Sequence, residues 1–485
     1  SEDTACRRVK GLRLHGNRLL SDKPLQQVAE PHLAPCMDAR AINRLLGALT
    51  AAYVQAGYIT ARPYILPQPA DDGALQVALL EGQVEALEIT DPALPLSLEN
   101  AFGEMIGQPL HLPTLERGLD QLNRLRVFDL AGDIRPGQQA GGSRVVLRPL
   151  SYPPRSWATL QVTNDGADPA ARERLTAHYQ RESPLGWNDR VVLGWGHSVA
   201  RGRRFYRNAA LHYQVPRGPW QLTVGLSGYR YRSDIERLRQ RRSAAGGGGL
   251  KAMSLARELY RSQRAIVTAT ARLNHKHIDT YIGGRRLPLQ SPRYGSADLE
   301  LDLLWAGAAN FNAQLRYSEG FGGWNAADGH PAPPAHPQKA RFQSWGLQFG
   351  HSYASHTFSQ AWQWNSQWVA QYSDDSLPPM DLLPLTGSYN VRGFRDGGAF
   401  HARGLAWHNT VSFPRRYAQG LIAAPRLGLD LGQGQKPNTR LAGSAVGLNL
   451  RRGDLQLDLD YQHPLYHSRR HGYGGYWQVL LQARF

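Results

Sequence analysis

From Trp157 onward the chain consists of stretches of about ten residues or more in which apolar and polar side chains alternate. The clearest covers residues 357–372. Phe358, Trp362, Trp364, Trp368, Ala370 and Tyr372 occupy even positions, and Thr357, Ser359, Gln363, Asn365, Gln367 and Gln371 odd ones. A period of two puts the aromatic rings and the amides on opposite faces of a strand. In a soluble sandwich the aromatic face would meet a second sheet. In a transmembrane barrel it meets lipid, and the amides line a wet lumen. Residues 454–461 alternate most strictly, with Leu455, Leu457, Leu459 and Tyr461 against Asp454, Gln456, Asp458 and Asp460. Carboxylates at every second position cannot face lipid, so they line the lumen or solvent. The last segment sets Trp477, Val479, Leu481, Ala483 and Phe485 on one face.

No apolar run reaches the length of a membrane helix, about 18–20 residues, which leaves strands as the only way to span a bilayer. Mean hydropathy is −0.47, as expected when only alternate residues face lipid. Counting the alternating segments gives about sixteen strands. Short turns at Pro184-Leu185-Gly186, Pro216-Arg217-Gly218, Ala306-Gly307-Ala308 and Arg451-Arg452-Gly453 alternate with long connections near 231–249, 278–293, 320–339, 373–401 and 463–474. Short turns on one side and long loops on the other mark an outer-membrane barrel.

Residues 1–150 differ in texture. A short strand is expected over 8–14. A helix is expected over 38–56, capped by Asp38, with Ile42, Leu45, Leu46, Leu49 and Tyr53 on one stripe and Gly57 as its stop. Strands near 59–66 and 74–80, split by Asp71-Asp72-Gly73, complete one small α/β module. A second follows, with strands near 84–89 and 144–150 and helices near 98–105 and 113–125. Cys6 and Cys36 would close a disulfide in an oxidising periplasm; the alternative is two buried free thiols.

The net charge is +17. The densest basic stretch, Arg230 to Arg264, holds ten Lys/Arg against three Asp/Glu. No nucleic-acid module surrounds it, so it reads as solvated loop and pore lining, with no nucleic-acid partner expected. Gly246 to Gly249 reads as a flexible loop tip, because no Lys-Ser/Thr follows to make a phosphate cradle. Residues 331–337 read as a stiff, proline-rich loop tip. His275 and His277 share one side of a strand but lack a third ligand, so no metal is expected. No nucleophile elbow, Ser/His/Asp order or HExxH motif stands out. The expectation is a non-enzyme without cofactor.

Leu385-Thr386-Gly387-Ser388-Tyr389-Asn390-Val391-Arg392-Gly393-Phe394-Arg395-Asp396-Gly397 lies in the longest connection. Its Val391-Arg392-Gly393-Phe394 core resembles the signature of the BamA-type outer-membrane superfamily. The two cysteines, the run from Tyr53 to Arg62 and Glu81-Gly82-Gln83-Val84-Glu85 resemble the first polypeptide-transport-associated (POTRA) module of two-partner secretion transporters. Leu119-Asp120-Gln121-Leu122-Asn123-Arg124-Leu125, with Pro136-Gly137 and Gly142-Ser143, resembles the second. Asn164-Asp165-Gly166 and Pro184-Leu185-Gly186-Trp187-Asn188-Asp189 resemble the start of that family's barrel.

The resemblance covers essentially the whole chain. It implies a transmembrane β-barrel of about sixteen antiparallel strands (151–485) behind two small α/β POTRA domains (1–82 and 83–150). It also implies a bacterial outer-membrane location, with the POTRA pair in the periplasm. The POTRA pair would capture an unfolded exoprotein bearing an N-terminal secretion domain, and the barrel would secrete it without ATP. The loop 373–401 would fold inward, with Arg392 pairing Asp430 on the inner wall. Phe485 would serve as the C-terminal signal to the barrel assembly machinery, and lipid and lipopolysaccharide would surround the wall. Family members typically carry an N-terminal plug helix ahead of the first module; here it is either absent or outside this numbering, and how the pore closes is left open. The alternatives are an insertase of the same superfamily, which usually carries more POTRA modules and no cysteine pair, and a passive porin, which has no use for periplasmic modules.

Overall fold

The computed structural model describes residues 6–67, 73–166, 172–199, 204–237, 240–322, 341–395, 398–469 and 474–485. Asp71, Asp72 and residues 331–337 lie outside them.

The chain divides into two compact units. The first comprises Ser1–Pro154 with the turns Leu185–Asn188 and Pro216–Gly218. Its first module packs helices Asp22–Ala29 and Ala39–Gln55 on a three-stranded sheet ordered Gly11–His15, Ala74–Leu80, Arg62–Ile65. Asp38 caps the longer helix by accepting from the Ala41 amide at 2.8 Å. Leu45, Leu49 and Tyr53 bury completely against Leu75 and Val77. The Glu81 carboxylate accepts from the Arg18 and Leu19 amides and from the Tyr53 hydroxyl, at 2.7–2.8 Å. That network accounts for the Glu81-Gly82 pair: Gly82 sits at φ +75°, where a side chain would be strained. The strand expected over 8–14 is two pieces, Arg7–Arg8 and Gly11–His15, and Cys6 and Cys36 form a disulfide beside the first.

The second module repeats the plan, with sheet order Gln83–Ile89, Gly142–Ser151, Asp129–Pro136 and helices Leu98–Phe102 and Leu112–Asn123. Helix Asp22–Ala29 and strand Asp129–Pro136 were not anticipated from the sequence. Asn188, at φ +59°, belongs to the same unit. Its amide accepts from the Ser97 N–H at 2.8 Å and donates to the Ser97 carbonyl and the Gln121 side chain at 2.7 and 3.0 Å.

The second unit is a closed antiparallel barrel. Its sixteen long strands run from Ser156–Thr163 to Tyr476–Arg484, which pair with each other to close the ring. Phe485 adds two backbone hydrogen bonds to Ala158, at 2.9 and 3.0 Å, at the seam. Closure leaves no sheet edge in hydrocarbon. No described helix is long and apolar enough to cross a membrane.

Five expectations are corrected. The alternation over 356–372 is one hairpin end plus one strand. Strand Phe342–Thr357 turns at Phe358 and Ser359, both at positive φ, into Gln360–Tyr372, and Phe358 lies fully exposed in that turn. The loop expected at 231–249 is strand on both sides: Trp220–Arg237 pairs along its length with residues 240–257 of strand Gln240–Arg261. Gly246 to Gly249 lie inside that ladder rather than at a loop tip. Arg230 and Arg232 likewise sit in a paired strand, not in a solvated loop. Strands also run further than expected into the connections at 278, 320 and 463, ending at Ile282, Gly322 and His467.

Candidate functional site: the segment folded against the inner wall

Strand Leu421–Gln435 has the sequence Leu-Ile-Ala-Ala-Pro-Arg-Leu-Gly-Leu-Asp-Leu-Gly-Gln-Gly-Gln. Leu427, Leu429 and Leu431 are exposed on its lipid side. The residues between them, Arg426, Gly428, Asp430 and Gly432, therefore face the lumen. Register carries this alternation to both neighbours, where His408 and Gly443 pair with Asp430.

Against this face lies the segment around Val391–Phe394. The Arg392 guanidinium donates from Nε to Asp430 Oδ2 at 2.7 Å and from Nη2 to Oδ1 at 2.8 Å. The Arg392 backbone N–H adds a third bond at 3.0 Å, and the Asn409 N–H a fourth at 3.1 Å. Nη2 also reaches the Asn409 carbonyl at 2.5 Å. The carboxylate is wholly buried and the guanidinium nearly so. His408 Nδ1 donates to the Asn390 carbonyl at 2.8 Å and stands 3.2 Å from Asp430. A fork this fully satisfied enforces one position for the segment more than it adds stability.

The wall is shaped to receive it. A Cβ on Gly428 would stand 2.0 Å from Arg392 Nη2, one on Gly443 1.9 Å from the Arg392 carbonyl oxygen, and one on Gly432 2.8 Å from Val391. Gly393, at φ +97°, passes so close to His463 and Pro464 that a Cβ would meet their backbone at 2.6 Å. Both facts make glycine obligatory in the motif. Its N–H donates to Gln462 Oε1 at 3.2 Å. Val391 and Phe394 bury with Leu383, Leu385, Ala406 and Leu441 in an apolar cluster inside the lumen. Phe394 also stands edge-on to His467.

A second attachment lies upstream. Asp381 accepts from Lys276 Nζ and the Tyr294 hydroxyl, each at 2.5 Å, and the Gln371 side chain donates to the Asp381 carbonyl. The sequence reading missed Lys276, Tyr294 and Asp381. Their only signal was the charge of Lys276 and Asp381. It also missed the glycine notches, although glycine recurs at 428, 432 and 434 on the lumen side. Elsewhere on the wall Arg426 is clasped by Asp458 and Asp460 at 2.6–2.8 Å. His275 and His277 point outward, away from these groups, with the His277 ring over Gly249.

A model of the haemolysin secretion/activation protein family ShlB/FhaC/HecB matches residues 141–450. A ShlB-type POTRA model matches 8–82, and a further POTRA model 83–136. The haemolysin transporter protein HpmB of Proteus mirabilis is 31% identical over 95% of this chain and 82% of its own length. The outer membrane transporter CdiB of Dickeya dadantii is 26% identical over 84% of this chain and 72% of its own. The solved structure of CdiB from Escherichia coli has the same fold, with a TM-score of 0.91 at 22% identity over 99% of this chain and 91% of that one. The chain belongs to the haemolysin secretion/activation family ShlB/FhaC/HecB, as an outer-membrane β-barrel transporter with its POTRA domains in the periplasm.

Proposed function

We propose that this chain secretes one class of large exoprotein, taken up unfolded by its two POTRA modules (1–82 and 83–150) and passed through the barrel. The relatives named as haemolysin and CdiB transporters support an exported protein as cargo. The observation that carries the reading is the junction of two features in one chain. Small α/β modules precede a closed barrel, and a segment of the wall's own connection occupies the lumen by means of Arg392. A passive porin gains nothing from either.

Each module's three-stranded sheet ends on an edge strand, Arg62–Ile65 with exposed Tyr64 in the first and Asp129–Pro136 with exposed Ile134 in the second. An extended client chain can add to such an edge through main-chain hydrogen bonds, which suits an unfolded cargo. No nucleotide-binding P-loop is present in the sequence. Folding of the cargo outside the cell would bias the direction of transport. Phe485, three-quarters exposed at the end of the closing strand, fits a recognition signal for the barrel assembly machinery during biogenesis.

The test is secretion of the cognate exoprotein by cells carrying the full chain or a form lacking residues 1–150. Export should vanish while the barrel still inserts and migrates as a folded band. Undiminished export from the truncated form would rule the reading out.

A further inference from the structure

The glycine run and the basic stretch of the sequence meet on the outer surface of the barrel, away from the lumen. Lys276, bound to the inward segment through Asp381, fixes the lumen face of strand Ala265–Ile282. Leu250 pairs with Lys276, Gly248 with Ile278 and Gly246 with Thr280, and across the next ladder Tyr229 and Tyr231 pair with Gly248 and Gly246. The two tyrosine rings therefore face the lumen, and Arg230 and Arg232, between and beyond them, face outward with Gly247 and Gly249. A Cβ on Gly247 would approach the Arg230 side chain at 3.3 Å, and one on Gly249 the His277 ring at 2.4 Å. Without side chains there, a groove of about 720 Å³ opens, with Arg207, Arg230 and Arg232 on one flank, His277 and Asp279 on the other, and Trp195 at one end.

Its height on the barrel follows from strand length. Strand Trp220–Arg237 runs upward from the short-turn, periplasmic end. Its outward residues are Trp220, Leu222, Val224 and Leu226, then Gly228, Arg230 and Arg232. About 9–11 residues of a tilted strand cross the hydrocarbon. Counted from Trp220, the arginines stand at the outer-leaflet headgroups, where the apolar band ends. Directly below, Val224, Leu226, Met253, Leu273 and Phe321, with Lys251 and His275 among them, line a largely apolar groove of about 530 Å³ on the same outward surface. Asp279 is already neutralised by Arg286 and Arg293, at 3.1 and 3.7 Å. Arg207, Arg230 and Arg232 form no ion pair with a carboxylate among the described residues, and all three are exposed.

We propose that this two-part groove binds a lipopolysaccharide molecule of the outer leaflet, its phosphates held by Arg207, Arg230 and Arg232 and an acyl chain laid along Leu226 and Met253. Guanidinium forks match phosphate oxygens bidentately, and three exposed arginines with no ion-paired carboxylate among the described residues present such forks to an anion. The apolar groove beneath selects a lipid over a free phosphate. The adjoining headgroup site selects a phosphorylated glycolipid over an ordinary acyl chain.

Native mass spectrometry on the full chain in detergent tests this, with bisphosphorylated lipid A as the probe. Phosphate-free lipid A, phosphatidylglycerol and millimolar inorganic phosphate are the competing arms. The wild-type chain should retain lipid A against inorganic phosphate and prefer it over the other two lipids. R207Q/R230Q/R232Q should weaken retention about tenfold or more, and R207K/R230K/R232K, which keeps the charge without the fork, should fall between it and the wild-type chain. Heat-modifiable migration reports folding of each variant. Should the glutamine variant fail to fold, the lipid preference of the wild-type chain decides. Equal retention of phosphate-free lipid A or phosphatidylglycerol, displacement by inorganic phosphate, or full retention by a folded glutamine variant would each overturn the proposal. Neither result depends on whether the chain exports a protein.

Discussion

Lys276 and Asp381 meet at 2.5 Å on the seventh strand of the barrel, whereas Arg392 meets Asp430 on the thirteenth. The inward segment is thus tied to the wall at two well-separated places. Both ties are ion pairs largely withdrawn from water, with side chains no more than 12% exposed. A segment held at one end could swing; held at both, it spans the lumen.

Arg392→Ala leaves the Asp430 carboxylate buried without its partner, a loss of about 3–5 kcal/mol when one half of a buried pair is removed. The segment should leave the wall. Planar-bilayer conductance should rise or become noisy, and secretion should fall. Arg392→Lys should rescue little, because an ammonium cannot reproduce the fork. Wild-type conductance together with wild-type secretion would refute the positioning role.

Gly443→Ala should mimic Arg392→Ala without touching a charge. Its methyl would collide with a backbone oxygen, which cannot rotate aside as a side chain can. Because both changes act on one contact, the double variant should be no worse than either single one. Additive effects on conductance would show that the notch serves some other purpose.

Asp381→Asn removes the charge that Lys276 faces while preserving shape. It should loosen the upstream tie alone, giving a smaller rise in conductance than Arg392→Ala. Protease sensitivity should appear near residue 381 before it appears near residue 392. A digestion pattern identical to wild type would count against a second tie.

Replacing Cys6 and Cys36 by serine reopens a loop with a sequence separation of 30, and should destabilise the first module by about 3–4 kcal/mol in the chain-entropy model. Hydrogen exchange in the intact protein should accelerate across helix Ala39–Gln55 and leave the barrel unaffected. Exchange unchanged in that helix would dismiss the estimate.

His111 precedes helix Leu112–Asn123 and packs against Tyr58, the rings tilted with centroids 5.2 Å apart. Burial, and then the nearby Arg117 charge, lower its pKa from the ordinary histidine value. The unfolded chain therefore takes up this proton first. Stability of the module is complete above the ordinary histidine range and declines as pH falls below it. Exchange protection of residues 112–123 should drop on acidification below about pH 6.5, and His111→Gln should flatten that dependence. A pH-independent profile in the wild-type chain would contradict the assignment.

The barrel wall was legible because lipid on one side and water on the other impose a period of two that short strands display openly. That same period hid the turn at Phe358 and Ser359. A two-residue turn preserves alternation, and neither residue is the glycine or asparagine that ordinarily announces positive φ. Gly246 to Gly249 misled in the opposite way. Four glycines suggest freedom, yet a ladder pairs them on both sides. Within the site, Arg392 and Asp430 were named from a family pattern, and strand alternation put Asp430 on the lumen side. Asp381 and Lys276 were not, because 105 residues separate them and neither stands in a motif. The meaning of Gly428 and Gly443 depends on what approaches them, and that information belongs to a distant part of the chain.

The notches at Gly428, Gly432 and Gly443 make the wall a cast of the segment it holds. Inheritance should respect that fit. A lineage that enlarges residue 428 or 443 has to shorten or reroute the chain at residue 392 in step, so these positions should drift as linked sets rather than singly. A chimaera joining the inward segment of one relative to the wall of another should assemble a barrel yet fail to seat its own segment, unless both halves of the cast travel together.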